Sequence, residues 1–263
     1  MLQIHPIPAF NDNYFWLIQP EAQKTAAYIV DPGSAEPVFE ALEARKLTLT
    51  GILITHHHHD HIDGATQLSQ AFNIPIYGPK SPKIPQVTHY LTEGEELKLG
   101  PLRVKIIELP GHTRDHIGFL ITSALPDQHQ PLLFCGDTLF AAGCGRVFDG
   151  SIEQLFESLQ KITQLPDNTL IYCAHEYTLN NILFALFIEP ENAALKARQF
   201  QATQQRQQHL PTIPNPLSLE KQTNPFLRCH LPGVRNRVEQ LTEQTAPTAF
   251  EVFSHLRRIK DHF

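Results

Sequence analysis

Seven consecutive residues, Thr55-His56-His57-His58-His59-Asp60-His61, constrain this chain more than any other stretch. A histidine run at a terminus would read as a purification tag, but this one is internal and has a carboxylate woven into it. Protonated imidazoles packed so closely would repel one another, so the cluster makes sense around a cation that keeps them neutral. The apolar run Ile52-Leu53-Ile54 just ahead of it reads as a short buried strand ending at the cluster. If the chain stays extended past Thr55, His56, His58 and Asp60 share one face while His57 and His59 share the other. The first face is the candidate metal site, and His57 and His59 are left as supporting or solvated residues. His61 breaks the alternation, so the chain must turn there, with Asp63-Gly64 as the turn. Asp60 and His61 can then address a second metal beside the first.

The same arrangement recurs down the chain. Leu102 to Ile106 alternates like a strand and runs into Pro110-Gly111-His112, Leu132-Leu133-Phe134-Cys135 runs into Gly136-Asp137, and Leu170-Ile171-Tyr172-Cys173 runs into Ala174-His175. Four strands are thus followed at once by residues able to bind metal. Where helices cover a sheet, sites collect at the ends of strands, so His56, His58, Asp60, His61, His112, Asp137 and His175 are expected to converge. Five histidines and two aspartates suffice for two ions if one carboxylate bridges them. A nitrogen and oxygen set without thiolate suits zinc, iron or manganese, and more ligands than a closed four-coordinate site needs point to catalysis.

The bulk numbers exclude other classes. Hydrophobic content of 41% and charged content of 18% describe a globular chain, with no apolar run long enough to span a bilayer. Met1 to Pro6 carries neither a basic region nor a signal-peptide apolar core, so the expected compartment is the cytoplasm. Cys135, Cys144, Cys173 and Cys229 form no C-x-x-C pair and are expected to be reduced and packed. A net charge of -6 argues against nucleic-acid binding, and any anionic substrate must be drawn by a local basic patch.

Further strands are expected at 14–18, 27–30, 74–77, 97–99 and 117–121, with a polar loop after Ile121. Helices are expected after a Ser34 cap, over 65–72, and after the capping box Ser151-Ile152-Glu153-Gln154. Beyond His175 helical patterns dominate: 178–188, 192–209, then a proline-rich connector over 211–216, 234–241, and a last helix opening with Thr248-Ala249-Phe250-Glu251. That shift marks a domain boundary near residue 175.

T-H-x-H-x-D-H at 55–61, G-H-T at 111–113, G-D-T-L-F at 136–140, G-C-G-R at 143–146 and A-H-E-Y-T at 174–178 together resemble the glyoxalase II (hydroxyacylglutathione hydrolase) family of the metallo-β-lactamase superfamily. The first motif identifies only the superfamily, whereas the others, with the helical tail, are more specific. The resemblance covers essentially the whole chain. It implies a four-layer αβ/βα sandwich over 1–175 and a helical glutathione-binding domain over 176–263. By the same resemblance His56, His58 and His112 hold one metal, Asp60, His61 and His175 hold the second, and Asp137 bridges. Water activated between the ions is the expected nucleophile, oriented by Asp60, and S-D-lactoylglutathione the expected substrate. Arg146, Tyr177, Arg257 and Lys260 fall where the family grips glutathione. Zinc is the first expectation for both ions, and the protein is expected to be a monomer without membrane or nucleic-acid partners. Three positions depart from the family pattern: Asp115 and Asp63 stand where Gly is usual, and Phe148 where some relatives have Tyr. A persulfide dioxygenase, another hydrolase of the superfamily, or a metal-binding protein without turnover are the alternatives.

Overall fold

The computed structural model describes residues 2–20, 25–122 and 130–263, so the polar loop expected after Ile121 lies almost wholly outside the described residues. One sheet runs β1 (Gln3–Ala9), β2 (Asn13–Gln19), β3 (Ala26–Val30), β4 (Thr48–Leu53), β5 (Ile76–Pro79) and β6 (His89–Leu91), in that spatial order. Helix α1 (Glu36–Arg45) connects β3 to β4, and α2 (His59–Ile62) and α3 (Ala65–Phe72) connect β4 to β5. Crossovers of this kind let β3 and β4, and β4 and β5, pair in parallel. The strands are apolar on both faces. Tyr14, Trp16, Ile18, Tyr28 and Val30 face the second sheet, while Phe15, Leu17, Ala27 and Ile29 pack against Val38, Ala41 and Leu42 of α1 and Leu68 of α3.

The second sheet is built from β7 (Glu96–Leu99), β8 (Leu102–Glu108), β9 (Ile117–Thr122), β10 (Leu132–Gly136), β13 (Leu170–Cys173) and β14 (Asn215–Pro216), ordered β14-β13-β10-β9-β8-β7. Next to the edge, β8 is half wet: Leu102, Val104 and Ile106 are buried, and Arg103 and Lys105 between them are exposed. Between β10 and β13 lie a short ribbon, β11 (Leu139–Phe140) with β12 (Gly143–Cys144), and α4 (Ile152–Thr163), which opens with the expected Ser151–Gln154 capping box. Leu155, Leu159 and Ile162 of α4 join the same apolar cluster as β8, β9 and β10. Together these elements form the αβ/βα sandwich.

Past His175 come α5 (Thr178–Ile188), α6 (Ala193–Gln207), α7 (Leu217–Thr223), a 3-10 turn (Pro225–Leu227), α8 (Pro232–Thr242) and α9 (Ala249–Asp261). Phe184, Phe226, Val238, Phe253 and Leu256 belong to the cluster that fills the sandwich, and β14 from the proline-rich connector pairs with β13. Tail and sandwich therefore share one core.

Several expectations need correction. Ser34 does not cap α1, which starts after Ala35 with no side-chain cap and takes its first-turn geometry from Pro37. The strand expected at 74–77 lies at 76–79. Strand β1 carries two prolines and gives no strand signal, yet it sits at a sheet edge, where a missing N–H is tolerated. Helix α7 follows Pro216, in the stretch between the proline-rich connector and the helix expected at 234–241, where no element is expected. It brings Glu220 into the interior, where the carboxylate pairs with Arg198, accepts from Ala142 N at 2.9 Å, and accepts from Asn224 Nδ2 at 3.2 Å.

Candidate metal centre

The metal-binding motif departs from its expected geometry. Extended backbone persists only through His58 (φ -68°, ψ 146°), and α2 then forms a single helical turn over His59–Ile62. Asp60 and His61 thus project from a helix and do not continue a strand alternation. The turn comes before His61, not at Asp63-Gly64. His59 ends up exposed beside Asp63, and His57 points away from the cluster to share its Nδ1 with the Asp115 carboxylate at 3.0 Å.

All four strand ends nevertheless meet. His58 Nδ1 lies 3.1 Å from His56 Nε2 and 3.0 Å from His112 Nε2, and His112 Nε2 lies 3.4 Å from Asp137 Oδ2. On the other side of Asp137, Oδ1 is 3.6 Å from His61 Nε2 and 3.4 Å from His175 Nε2. Asp60 Oδ2 is 3.4 Å from both of those imidazole nitrogens. Donors arranged tetrahedrally about 2.0–2.1 Å from an ion are roughly 3.3 Å apart, so both groups have the spacing of a coordination shell. The two oxygens of Asp137 face the two groups. His61 Nε2 and Asp137 Oδ1 are buried and make no hydrogen bond, an arrangement costly in protein alone and relieved by a cation. Divalent metal fits these residues.

Neighbouring groups fix how the ligands point. Asp31, at the end of β3, accepts from Thr55 N and Thr55 Oγ1, both at 2.7 Å, and from His61 Nδ1 at 3.0 Å. His175 Nδ1 donates to Asp12 at 2.8 Å, Asn13 Nδ2 donates to Asp60 Oδ2 at 2.9 Å, and His112 Nδ1 donates to the Arg146 carbonyl at 2.6 Å. His56, His61, His112 and His175 are left with the Nε2 lone pair toward the centre, and His58 turns its Nδ1 to it. His116 Nε2 accepts from Asp137 N at 3.1 Å, and its ring stacks on His56 with centroids 4.8 Å apart. Gly136 (φ 48°) lets β10 turn between these groups, since a Cβ there would stand 2.5 Å from Thr55 Oγ1 and 2.7 Å from His116 Nε2.

Protonation splits the cluster. Burial, reinforced by neighbouring imidazoles, drives His56 well below the usual histidine range, lowers His112, and brings His58 to about 4 and His116 to about 3. For His61 and His175 burial works in the same direction but is outweighed by carboxylates, Asp137 foremost, and both are raised. Asp137 is held well below the usual carboxylate range despite its burial, by His175 and His61. Without an ion, protons are therefore held more readily on the Asp60/His61/His175 side than on the other.

Around the centre, Tyr177 stacks face to face on His175 at 4.7 Å, and the exposed Phe148 stands edge-on to His58 and His112 at 4.9 and 5.2 Å. Arg146 is exposed, its Nε 3.6 Å from Asp261. Arg257 is buried and donates to the carbonyls of Cys144 at 3.1 Å and Gly145 at 3.4 Å and to Asp261 at 3.1 Å. Lys260 is half-buried, with its ammonium 5.0 Å over the ring of Phe184 and 5.3 Å over that of Phe263. The four cysteines are all buried free thiols. Asp12, Asn13, Asp31 and His116 went unrecognised in the sequence. Asp31 ends an apolar strand as the ligand-bearing segments do, but with Pro32-Gly33 behind it the local sequence looks like an ordinary turn.

A fold of two helix-covered sheets with histidines and aspartates gathered at strand ends defines the metallo-β-lactamase superfamily, whose family profile matches residues 10–175. The metallo-β-lactamase of Staphylococcus aureus superposes with a TM-score of 0.65 at 24% identity, over 98% of this chain and 71% of that one. The profile for the hydroxyacylglutathione hydrolase C-terminus matches residues 176–263. The hydroxyacylglutathione hydrolase of Nitrosomonas europaea is 45% identical over 100% of this chain and 97% of its own length. That of Vibrio campbellii is 47% identical over the full length of both. Within the superfamily, the chain belongs to the hydroxyacylglutathione hydrolase family.

Proposed function

We propose that this chain hydrolyses S-2-hydroxyacylglutathione thioesters, S-D-lactoylglutathione first among them, to the 2-hydroxy acid and glutathione. The observation that carries the reading is Asp137, whose two carboxylate oxygens face separate ligand groups at 3.4–3.6 Å. In this reading His56, His58 and His112 hold one ion, Asp60, His61 and His175 hold another, and Asp137 bridges. Zinc suits the nitrogen and oxygen set best, with iron and manganese compatible with the same donors. When bound, the ions supply Lewis-acid activation of water and of the thioester carbonyl at neutral pH.

The chain's own groups do the rest. Asp60, whose side chain is 40% exposed, faces the open side of the centre and orients the attacking water. Water adds to the acyl carbon, the C–S bond breaks, and the thiolate leaves without a dedicated acid. Residues 1–175 form the catalytic domain and 176–263 the helical glutathione-binding domain. Arg146, Tyr177, Arg257 and Lys260 form the glutathione site, and Arg146 and Lys260 supply its positive charge toward the anionic tripeptide on a chain whose net charge is -6. Arg257 serves chiefly by fixing the Cys144–Gly145 backbone beside the other three. We place the enzyme in the cytoplasm as a monomer, without nucleic-acid or membrane partners. Among the described residues no helix is long and apolar enough to cross a membrane.

The test is thiol release from S-D-lactoylglutathione by chelator-stripped and by reloaded protein. Release that vanishes on stripping and returns with metal supports the reading. No release from protein carrying two ions would refute the substrate.

A further inference from the structure

The two ligand groups are supported differently. His56 and His112 are oriented by neutral partners, the Thr55 hydroxyl at 3.0 Å and the Arg146 carbonyl at 2.6 Å. His61 and His175 each lean on a carboxylate, Asp31 and Asp12. Asp12 belongs to the turn between β1 and β2, far in sequence from every ligand. That turn is seated on the His175 segment by backbone: Tyr14 N donates to Ala174 O at 2.7 Å, Glu176 N donates to Asp12 O at 2.8 Å, and Asn13 bridges to His175. From adjacent positions the turn then sends out two side chains. Asp12 accepts from His175 Nδ1 at 2.8 Å, and Asn13 donates to Asp60 Oδ2 at 2.9 Å. Asp60 and His175 are themselves 3.4 Å apart at Oδ2 and Nε2, yet they come from α2 in the first sheet's connection and from the end of β13 in the second sheet.

We propose that the β1–β2 turn is a clamp for the second metal position alone. Asp12 and Asn13 are positioning residues that hold His175 Nε2 and Asp60 Oδ2 at the separation one ion requires. Neither residue is hydrogen-bonded to His56, His58 or His112. Asn13 is buried, and its amide donates to Asp60 Oδ2. Asp12 fixes the tautomer of His175 and makes Nε2 a stronger donor to metal. A carboxylate behind the imidazole does this more strongly than the carbonyl behind His112, so the second position depends on its outer partner more than the first does.

The inference rests on the two-ion reading, and its test separates the two. Zinc content per chain and stepwise zinc dissociation constants are measured by competition with a chelating dye for the wild-type protein, Asp12→Ala, Asp12→Asn and Asn13→Ala. Thermal unfolding of each ion-free protein accompanies them. The expected result is two ions on the wild type, with one of the two constants weakened about 10–100-fold in Asp12→Ala and Asn13→Ala and the other unchanged. Asp12→Asn, whose amide oxygen can still accept from Nδ1–H, should recover part of the loss, which a purely structural role for Asp12 would not produce. Ion-free melting points within a few degrees of wild type show that the fold is intact. If Asp12→Ala does not fold, Asn13→Ala carries the test. Two ions on the wild type with both constants unchanged in Asn13→Ala, or both weakened equally, would overturn the clamp while leaving the two-ion site standing. A wild-type protein that binds a single ion would overturn both.

Discussion

Glu220→Ala is expected to destabilise the protein severely although the residue touches no metal ligand. Glu220 and Arg198 are paired with side chains 1% and 4% exposed, and the guanidinium's remaining bond is to Thr223 Oγ1 at 2.6 Å. Removing the carboxylate leaves a buried cation with one neutral partner, and breaking such a pair costs about 3–5 kcal/mol. The same cut strips the acceptor from Ala142 N and one acceptor from Asn224 Nδ2, whose other bonds hold Phe140 O and Gly143 O of the β11–β12 ribbon. At about 2–4 °C per kcal/mol for chains of this size, the melting point should fall by roughly 6–20 °C. Scanning calorimetry at fixed metal content reads this directly. Arg198→Met with Glu220→Leu should recover the part of the loss that comes from the stranded guanidinium, while Ala142 N still lacks its acceptor. A fall of under about 2 °C in the single variant would refute the reasoning, since the guanidinium would then have found water or another partner.

Three further outcomes follow from the centre. A Cβ at residue 145 would stand 2.0 Å from Asp137 O and 3.2 Å from His112 Nδ1, so Gly145→Ala should cost about 1–3 kcal/mol and lower both metal content and turnover; unchanged metal content would mean the ribbon gives way elsewhere. Lys260→Ala should raise KM for glutathione thioesters about tenfold, the weight of one charge-assisted hydrogen bond, with kcat nearly unchanged; a fall in kcat at constant KM would reject its binding role. His61 and His175 are raised while His56, His58 and His112 are lowered, so ions entering the second position must displace protons and those entering the first need not. Calorimetric titration in buffers of different ionisation heat should show buffer dependence in the second-site phase, whose affinity weakens as pH falls; equal dependence in both phases would contradict the split.

What could be read in advance depended on whether the signal was local. The strands ending at His112, Asp137 and His175, and the capping boxes at Ser151 and Thr248, follow from short-range pattern and reappear in the structure. The geometry of Asp60 did not follow, because nothing in His58-His59-Asp60-His61 signals one helical turn against continued extension. Asp12, Asn13 and Asp31 escaped for a different reason. Their roles come from a hairpin and a parallel neighbour strand that bring them 30 to 163 residues across the chain to their partners, and as isolated residues they are ordinary turn formers. Helix α7 was hidden by the prolines before it, although Pro216 merely marks its entry.

The central claim is a pair of ions shared by one carboxylate, and anomalous scattering from crystals of zinc-loaded protein at the zinc absorption edge tests it most directly. Two peaks about 3.5–4 Å apart are expected, one among His56, His58 and His112, the other among Asp60, His61 and His175, with Asp137 between them. A single peak, or two that Asp137 does not join, would contradict the account.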